Sequence, residues 1–219
     1  MRKNCAVLFD FDGTVMDTEP AIIASYYHVF ELHRTRDDFT PELQVEVLGP
    51  ALDVEMKKFF PEIPVDACLQ EYRDFQNAHI QELIQPMEHA MDLFVWLKEE
   101  GFPTGLISTR LSQSLRHISQ LTGMDQYVDI MIGHDEVVND KPDPEGILLA
   151  MKDLQCTRSI YVGDSTTDIK AGKNAGSCTV AALTKPEKEE ALRASNPDDC
   201  VYDLLDLKKI ITDYNEGEH

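Results

Sequence analysis

Asp10 and Asp12 stand two residues apart at the end of an apolar run, in Cys5-Ala-Val-Leu-Phe-Asp-Phe-Asp-Gly-Thr14. The run Ala6 to Phe11 has the brevity and the β-branched and aromatic content of a buried strand, and Gly13 breaks it. On a strand, residues i and i+2 project to the same side. Two carboxylates held that close repel each other unless a cation lies between them or one keeps a proton. Such a pair suits a nucleophile, an acid/base partner and a divalent metal in one small site. An Asp-Gly turn that uses its carboxylates only for local hydrogen bonds is the alternative reading of this segment.

The elements that would position the pair follow from periodicity and punctuation. Pro20 suits the first turn of a helix that Ala21 to Leu32 continues, and Thr40-Pro41-Glu42 starts another. Leu43 and Val47, then Leu52, Met56, Phe59 and Phe60, sit on short helices separated by Gly49-Pro50, and Val65 to Ile84 is a longer helix. No convincing strand occurs between Thr18 and Gln85, so residues 16–85 read as an all-helical insert with hinges near Val15 to Thr18 and Gln85 to Met87.

From Pro86 onward strand and helix alternate. Helices are expected at Met87 to Glu100, Gln113 to Leu121, Pro144 to Leu154, Thr166 to Ala175 and Glu187 to Ala194, with a last one from Asp203. Strands are expected at Pro103 to Ile107, Tyr127 to Ile132, Ser159 to Val162 and Cys178 to Leu183, with an edge strand at Cys200 to Tyr202. This alternation implies an α/β fold, a parallel sheet with helices on both faces. The core is residues 1–15 and 86–219.

At 219 residues and 42% hydrophobic content, the chain is long enough for a full core plus a smaller inserted domain. A formal net charge of -20 works against nucleic acid and against an anionic membrane surface. It does not exclude a small phosphate ester, because a metal and one or two cations reverse the field locally. No stretch is long enough to span a bilayer, and the run after Met1-Arg2-Lys3 is too short for a signal peptide. The five scattered cysteines fit reduced thiols in a cytoplasmic protein. The oligomeric state stays open.

Ligands in open parallel sheets sit beyond the carboxyl ends of the strands. Other polar residues should therefore appear at those ends, and they do. One strand runs into Ser108-Thr109-Arg110, another is followed by Lys141-Pro142-Asp143-Pro144, and a third ends in Gly163-Asp164-Ser165-Thr166-Thr167-Asp168. Singly, each has a structural explanation as cap, loop charge or turn former; four strand ends agreeing in chemistry and order point to one site.

In these motifs the chain resembles the haloacid dehalogenase superfamily over essentially its whole length, in the subgroup with a helical cap inserted after the first strand. Asp10-Phe11-Asp12-Gly13-Thr14 is similar to its first motif, Ser108 to its second, Lys141 to its third, and Gly163-Asp164 with Asp168 to its fourth. The fold so implied is a Rossmann-like core with an all-helical cap.

The resemblance implies that Asp10 is a nucleophile forming an aspartyl-phosphate, and that Asp12 is the general acid and base. It also implies Mg²⁺ held by Asp10, the main-chain carbonyl of Asp12 and Asp164. Ser108 would donate to a phosphoryl oxygen, Lys141 would neutralise it and restrain Asp10, Thr14 would support the first motif, and Asp168 would orient Lys141 or a metal-bound water. The Thr109 amide is a further donor, and Arg110 a candidate contact to a second anionic group.

Within the family so resembled, an acid at the place of Asp12 implies phosphate transfer over cleavage of carbon–halogen or carbon–phosphorus bonds. The cap is read as closing over the site. Where sugar-phosphate mutases of the subgroup carry a cap histidine, this chain has Ile22, and His28 reads as structural. The loop Leu48-Gly49-Pro50-Ala51-Leu52, with Phe59-Phe60, is more similar to the caps of phosphoglycolate phosphatases and related pyrophosphatases. Packing explains those apolar residues equally well.

The function so implied is a Mg²⁺-dependent phosphatase acting on a small phosphorylated metabolite, with a β-phosphoglucomutase-like mutase or a pyrophosphatase as the alternatives. A non-catalytic phosphate-binding protein is the rival from another class.

Overall fold

Asp10 lies just past the strand at the middle of a six-stranded sheet, and that strand is apolar on both faces because helices cover both. In this computed structural model, residues 3–48 and 52–217 are described. The strands of the sheet are β1 (Cys5–Phe9), β4 (Thr104–Ile107), β5 (Ile130–Ile132), β6 (Arg158–Gly163), β7 (Cys178–Ala182) and β8 (Asp199–Val201). They lie in the order β5-β4-β1-β6-β7-β8 with every neighbouring pair parallel. Two further strands, β2 (Met16–Asp17) and β3 (Gln85–Pro86), pair as a separate two-stranded ribbon.

Side chains alternate across β1. Ala6 and Leu8 join a buried cluster with Ile147 and Ala150 of α7 (Glu145–Leu154) and Ala171 of α8 (Thr166–Ala175). Phe9 packs its ring 5.2 Å from Phe94 of α5 (Ala90–Glu100). The remaining helices of this unit are α6 (Ser112–Thr122), α9 (Glu189–Ala194) and α10 (Leu207–Glu216). The chain divides into two compact units, residues 1–17 with 86–219, and residues 18–85.

The second unit is built from α1 (Glu19–His33), α2 (Pro41–Glu46), α3 (Leu52–Phe59) and α4 (Val65–Leu83). Its core is aromatic: Tyr26, Phe30, Phe39, Phe59, Phe60 and Tyr72 are all buried. The Tyr26 and Tyr72 rings meet edge-on at 5.2 Å, and Phe30 stacks on Phe39 at 4.9 Å. Phe59-Phe60 therefore has a packing role. His28 stacks on Phe75 at 4.6 Å, the structural role expected of it, and Ile22 packs against the same apolar cluster. Gly49-Pro50-Ala51, the middle of the phosphatase-like loop, lies outside the described residues.

The expected α/β architecture is the one observed, and the differences are at element ends. The first strand stops at Phe9, not Phe11. Asp10 N–H makes a ladder bond to Val162 O at 2.8 Å, and Val15 and Met16 N–H then both turn back onto Phe11 O. Gly13, at φ +82°, closes this turn. The third expected strand begins at Ile130 because Met124–Gln126 forms a 3₁₀ turn. The helix read from Met87 begins at Ala90, after His89 at φ 62°. A 3₁₀ turn at Pro186–Lys188 takes up the start of the helix read from Glu187. No helix among the described residues is long and apolar enough to cross a membrane.

Candidate active site

The carboxyl ends of five adjacent strands deliver the polar residues of one site. Asp10 follows β1, Ser108 follows β4, Lys141 lies in the loop after β5, Asp164 follows β6, and Lys188 ends the 3₁₀ turn after β7. Asp10, Asp164 and Asp168 are 5%, 3% and 1% exposed, so bulk water does little to stabilise their charge and each needs a proton, a cation or hydrogen-bond donors.

Lys141 balances two of them. Its Nζ donates to Asp10 Oδ1 at 2.5 Å and to Asp168 Oδ1 at 2.7 Å. The other Asp10 oxygen accepts from Thr14 Oγ1 at 3.2 Å. Asp168 is held from its own helix: Ser165, the N-cap of α8, accepts from Asp168 N–H while Asp168 Oδ2 accepts from Ser165 N–H and Oγ. This reciprocal capping box leaves Oδ1 pointing at Lys141. Tyr161 Oη, on β6, also donates to that oxygen at 3.3 Å. Gly163 makes room for the arrangement, because a Cβ there would lie 2.2 Å from Asp168 Cβ.

The electrostatics follow from burial. Burial pushes the Asp10 carboxyl well above the usual carboxylate range, Lys141 opposes this, and the nearby Asp168, Asp164 and Asp12 add to the rise. Burial works against charge on Lys141, but Asp10 and Asp168 outweigh it and keep the ammonium protonated far above its ordinary range. Asp164 is likewise raised by burial, with the Lys188 ammonium opposing and Asp168 adding to it. Lys188 Nζ lies 2.5 Å from Asp164 Oδ2. The cluster is thus a locally anionic pocket with ammonium groups on its edges.

Oxygen atoms of Asp10, Asp164 and Asp168 lie within 4.8 Å of one another. Asp168 spends both oxygens on Lys141, Tyr161 and Ser165, which leaves Asp10 and Asp164 as hard carboxylate donors whose chemistry suits Mg²⁺. Gly13 adds to the fit, since a Cβ there would sit 2.5 Å from Asp164 Oδ2.

Asp12 does not share the environment of Asp10. Its Oδ1 accepts from Arg110 Nη2 at 2.6 Å, and its Oδ2 accepts from Arg110 Nε and from Ser108 Oγ, both at 3.3 Å. Both residues lie just past the end of β1, and Asp12 is near enough to help raise the Asp10 carboxyl, but each has its own partners. Arg110 thus pairs with Asp12, and Ser108 Oγ accepts from Arg110 N–H at 3.0 Å and anchors the pair. Thr109 is exposed.

Three contributors escaped the sequence reading. Ser165 and Tyr161 act through Asp168, and nothing in an apolar strand marks Tyr161 as a hydrogen-bond donor. Lys188 carried a signal, because the strand end at Leu183-Thr184 is followed by polar residues like the others. Thr184 Oγ1 donates to Gly13 O at 3.0 Å, which ties that loop to the Asp12-Gly13 turn.

Comparison with known proteins places this geometry. Residues 7–182 match the family described as haloacid dehalogenase-like hydrolase. Pyrophosphatase PpaX of Halalkalibacterium halodurans is 32% identical over 207 residues, covering 94% of this chain and 95% of that protein. Among solved structures, a candidate haloacid dehalogenase-like hydrolase of Bacteroides fragilis superposes with a TM-score of 0.82 at 25% identity, covering 94% of this chain and 100% of that one. A candidate phosphoglycolate phosphatase of Lactobacillus delbrueckii subsp. bulgaricus gives 0.82 at 22% identity, over 95% of this chain and 98% of that one. The motif residues gathered at the strand ends and the match across most of the chain agree, and the protein belongs to the haloacid dehalogenase-like hydrolases.

Proposed function

We propose that the protein is a Mg²⁺-dependent phosphatase that hydrolyses a small soluble phosphate ester or anhydride through an aspartyl-phosphate on Asp10. The observation that carries this reading is the Asp10 carboxylate itself, buried, gripped by Lys141 at 2.5 Å and by Thr14 at 3.2 Å, at the end of the central strand. Those contacts restrain the attacking group in one orientation.

In the first step an Asp10 oxygen attacks phosphorus, the bond from phosphorus to the leaving oxygen breaks, and Asp12 gives that oxygen a proton. In the second, Asp12 takes a proton from water as it attacks, the bond from phosphorus to Asp10 breaks, and phosphate leaves. Ser108, Lys141 and the Thr109 amide take the phosphoryl oxygens, where charge accumulates in flight. Asp10, Asp164 and the main-chain carbonyl of Asp12 would hold Mg²⁺, which supplies positive charge against those oxygens. Asp168 keeps Lys141 in place. The helical unit, residues 18–85, would act as the cap that excludes water and selects the substrate.

Pyrophosphate is the first substrate to test, because relatives near one-third identity over almost the full chain are named pyrophosphatases; phosphoglycolate is the second. The purified protein with Mg²⁺ should release inorganic phosphate from one of these in a panel that also holds nucleotides and a hexose 1-phosphate. Asp10→Asn should stop release while the far-ultraviolet spectrum is unchanged. Isomerisation of the hexose 1-phosphate without free phosphate would replace the hydrolase by a mutase.

A further inference from the structure

Lys188 is a cation in the site that none of the recurring motifs requires. It ends the Pro186–Lys188 turn after β7, the strand next to β6 that leads into Asp164. Its Nζ is 2.5 Å from Asp164 Oδ2, with the Lys188 side chain 32% exposed and that of Asp164 5%. The same oxygen faces Gly13 so closely that a Cβ there would stand 2.5 Å away. Thr184 Oγ1, at the other end of the short loop, donates to Gly13 O. The loop from Thr184 to Lys188 therefore touches Asp164 through Lys188 and the Gly13 turn beside it through Thr184.

This matters because of the local charge. Asp10, Asp164 and Asp168 bring three buried carboxylates, and Lys141 bridges only Asp10 and Asp168. Lys188 is the cation paired with the third. A divalent ion on Asp164 would meet an ammonium at hydrogen-bond distance from the same carboxylate, and like charges at that separation in a buried site repel strongly. The Lys188 stem is long and partly solvent-exposed, so its head has somewhere to go.

We propose that Lys188 is a tethered counter-ion that competes with the divalent cation for Asp164, so that the loop after β7 sets how tightly the metal is held. In the metal-free protein Lys188 neutralises Asp164; when the metal arrives, the ammonium swings away from Oδ2. The proposal rests on the reading of Asp164 as a metal ligand, and its test separates the two.

Mg²⁺ binding is measured by titration calorimetry on the wild type, Lys188→Met, Lys188→Gln and Lys188→Arg, together with melting temperatures with and without Mg²⁺. Both neutral variants should bind Mg²⁺ about tenfold or more tightly than the wild type, and Lys188→Arg should stay close to it. Without Mg²⁺ the neutral variants should melt lower, and saturating Mg²⁺ should raise them by more than it raises the wild type. Equal or weaker Mg²⁺ binding by a folded neutral variant overturns the competition. Asp164→Asn should lose most Mg²⁺ binding in both the wild-type and Lys188→Met backgrounds; if it keeps wild-type affinity, the metal-ligand reading fails instead.

Discussion

Arg110 grips both carboxylate oxygens of Asp12, with Nη2 2.6 Å from Oδ1 and Nε 3.3 Å from Oδ2. The arginine that the sequence offers as a contact to a second anionic group is, in this structure, a clamp on the proposed acid/base group. The side chains are 12% and 26% exposed, so the pair is partly shielded from solvent.

That clamp predicts how Arg110 variants behave. Arg110→Ala should lower kcat by roughly 10–100-fold with KM little changed, since it frees Asp12 from its orientation without removing a substrate contact. Arg110→Lys should recover only part of the loss, because an ammonium cannot make the two-pronged contact. Steady-state kinetics on the best substrate of the panel check this, and a rise in KM with kcat intact would return Arg110 to substrate binding.

Lys141 carries a structural load as well as a proposed chemical one. Lys141→Ala leaves Asp10 and Asp168 buried without their shared counter-ion, and breaking a buried pair in this way costs about 3–5 kcal/mol. The variant should be inactive and should unfold at a clearly lower urea concentration than the wild type. Unchanged stability would mean that the two carboxyls take up protons at little cost.

Gly13 is required by backbone and by space together. At φ +82°, with a Cβ position 2.5 Å from Asp164 Oδ2, Gly13→Ala should destabilise the protein by at least about 1 kcal/mol and weaken Mg²⁺ binding. Melting temperature and Mg²⁺ titration read the two effects separately.

Alkaline pH should unfold the core through its thiols. Burial pushes Cys5 up to about 11 and Cys178 up to about 12, from 9.0. A folded-state value above the unfolded one means that the protonated thiols favour the fold below pH 9 and that this contribution is lost as pH rises toward 11–12. Urea midpoints should hold up to about pH 9 and fall above it, and replacing both residues by alanine should flatten that decline relative to the parent. A parent midpoint constant to pH 11 would remove the thiols from the alkaline response.

Much of the architecture was legible because it rests on local pattern. The apolar run of β1 and the alternation from Pro86 onward follow from period and from backbone chemistry that neighbours alone impose. The site motifs were legible for a related reason: parallel strands place their carboxyl ends at one edge, so polar residues there converge although Asp10 and Lys141 are 131 residues apart in sequence. Element ends were less legible. The short ribbon of Met16–Asp17 with Gln85–Pro86 has too few residues for any period to show, and Phe9 ends β1 because of where its neighbour strand and the following turn place their hydrogen bonds.

By itself the sequence determined the fold class and which side chains gather at the strand ends, since both depend on spacing along the chain. The pairing of Lys141 with Asp10 and Asp168 follows from the family resemblance, but only the tertiary structure decided the rest: Asp12 went to Arg110, Asp168 also to its own cap, and Asp164 to Lys188. Those choices depend on distances of a few ångströms between segments remote in sequence, where burial strengthens each charge pair and penalises each unpaired charge. No spacing rule contains that information.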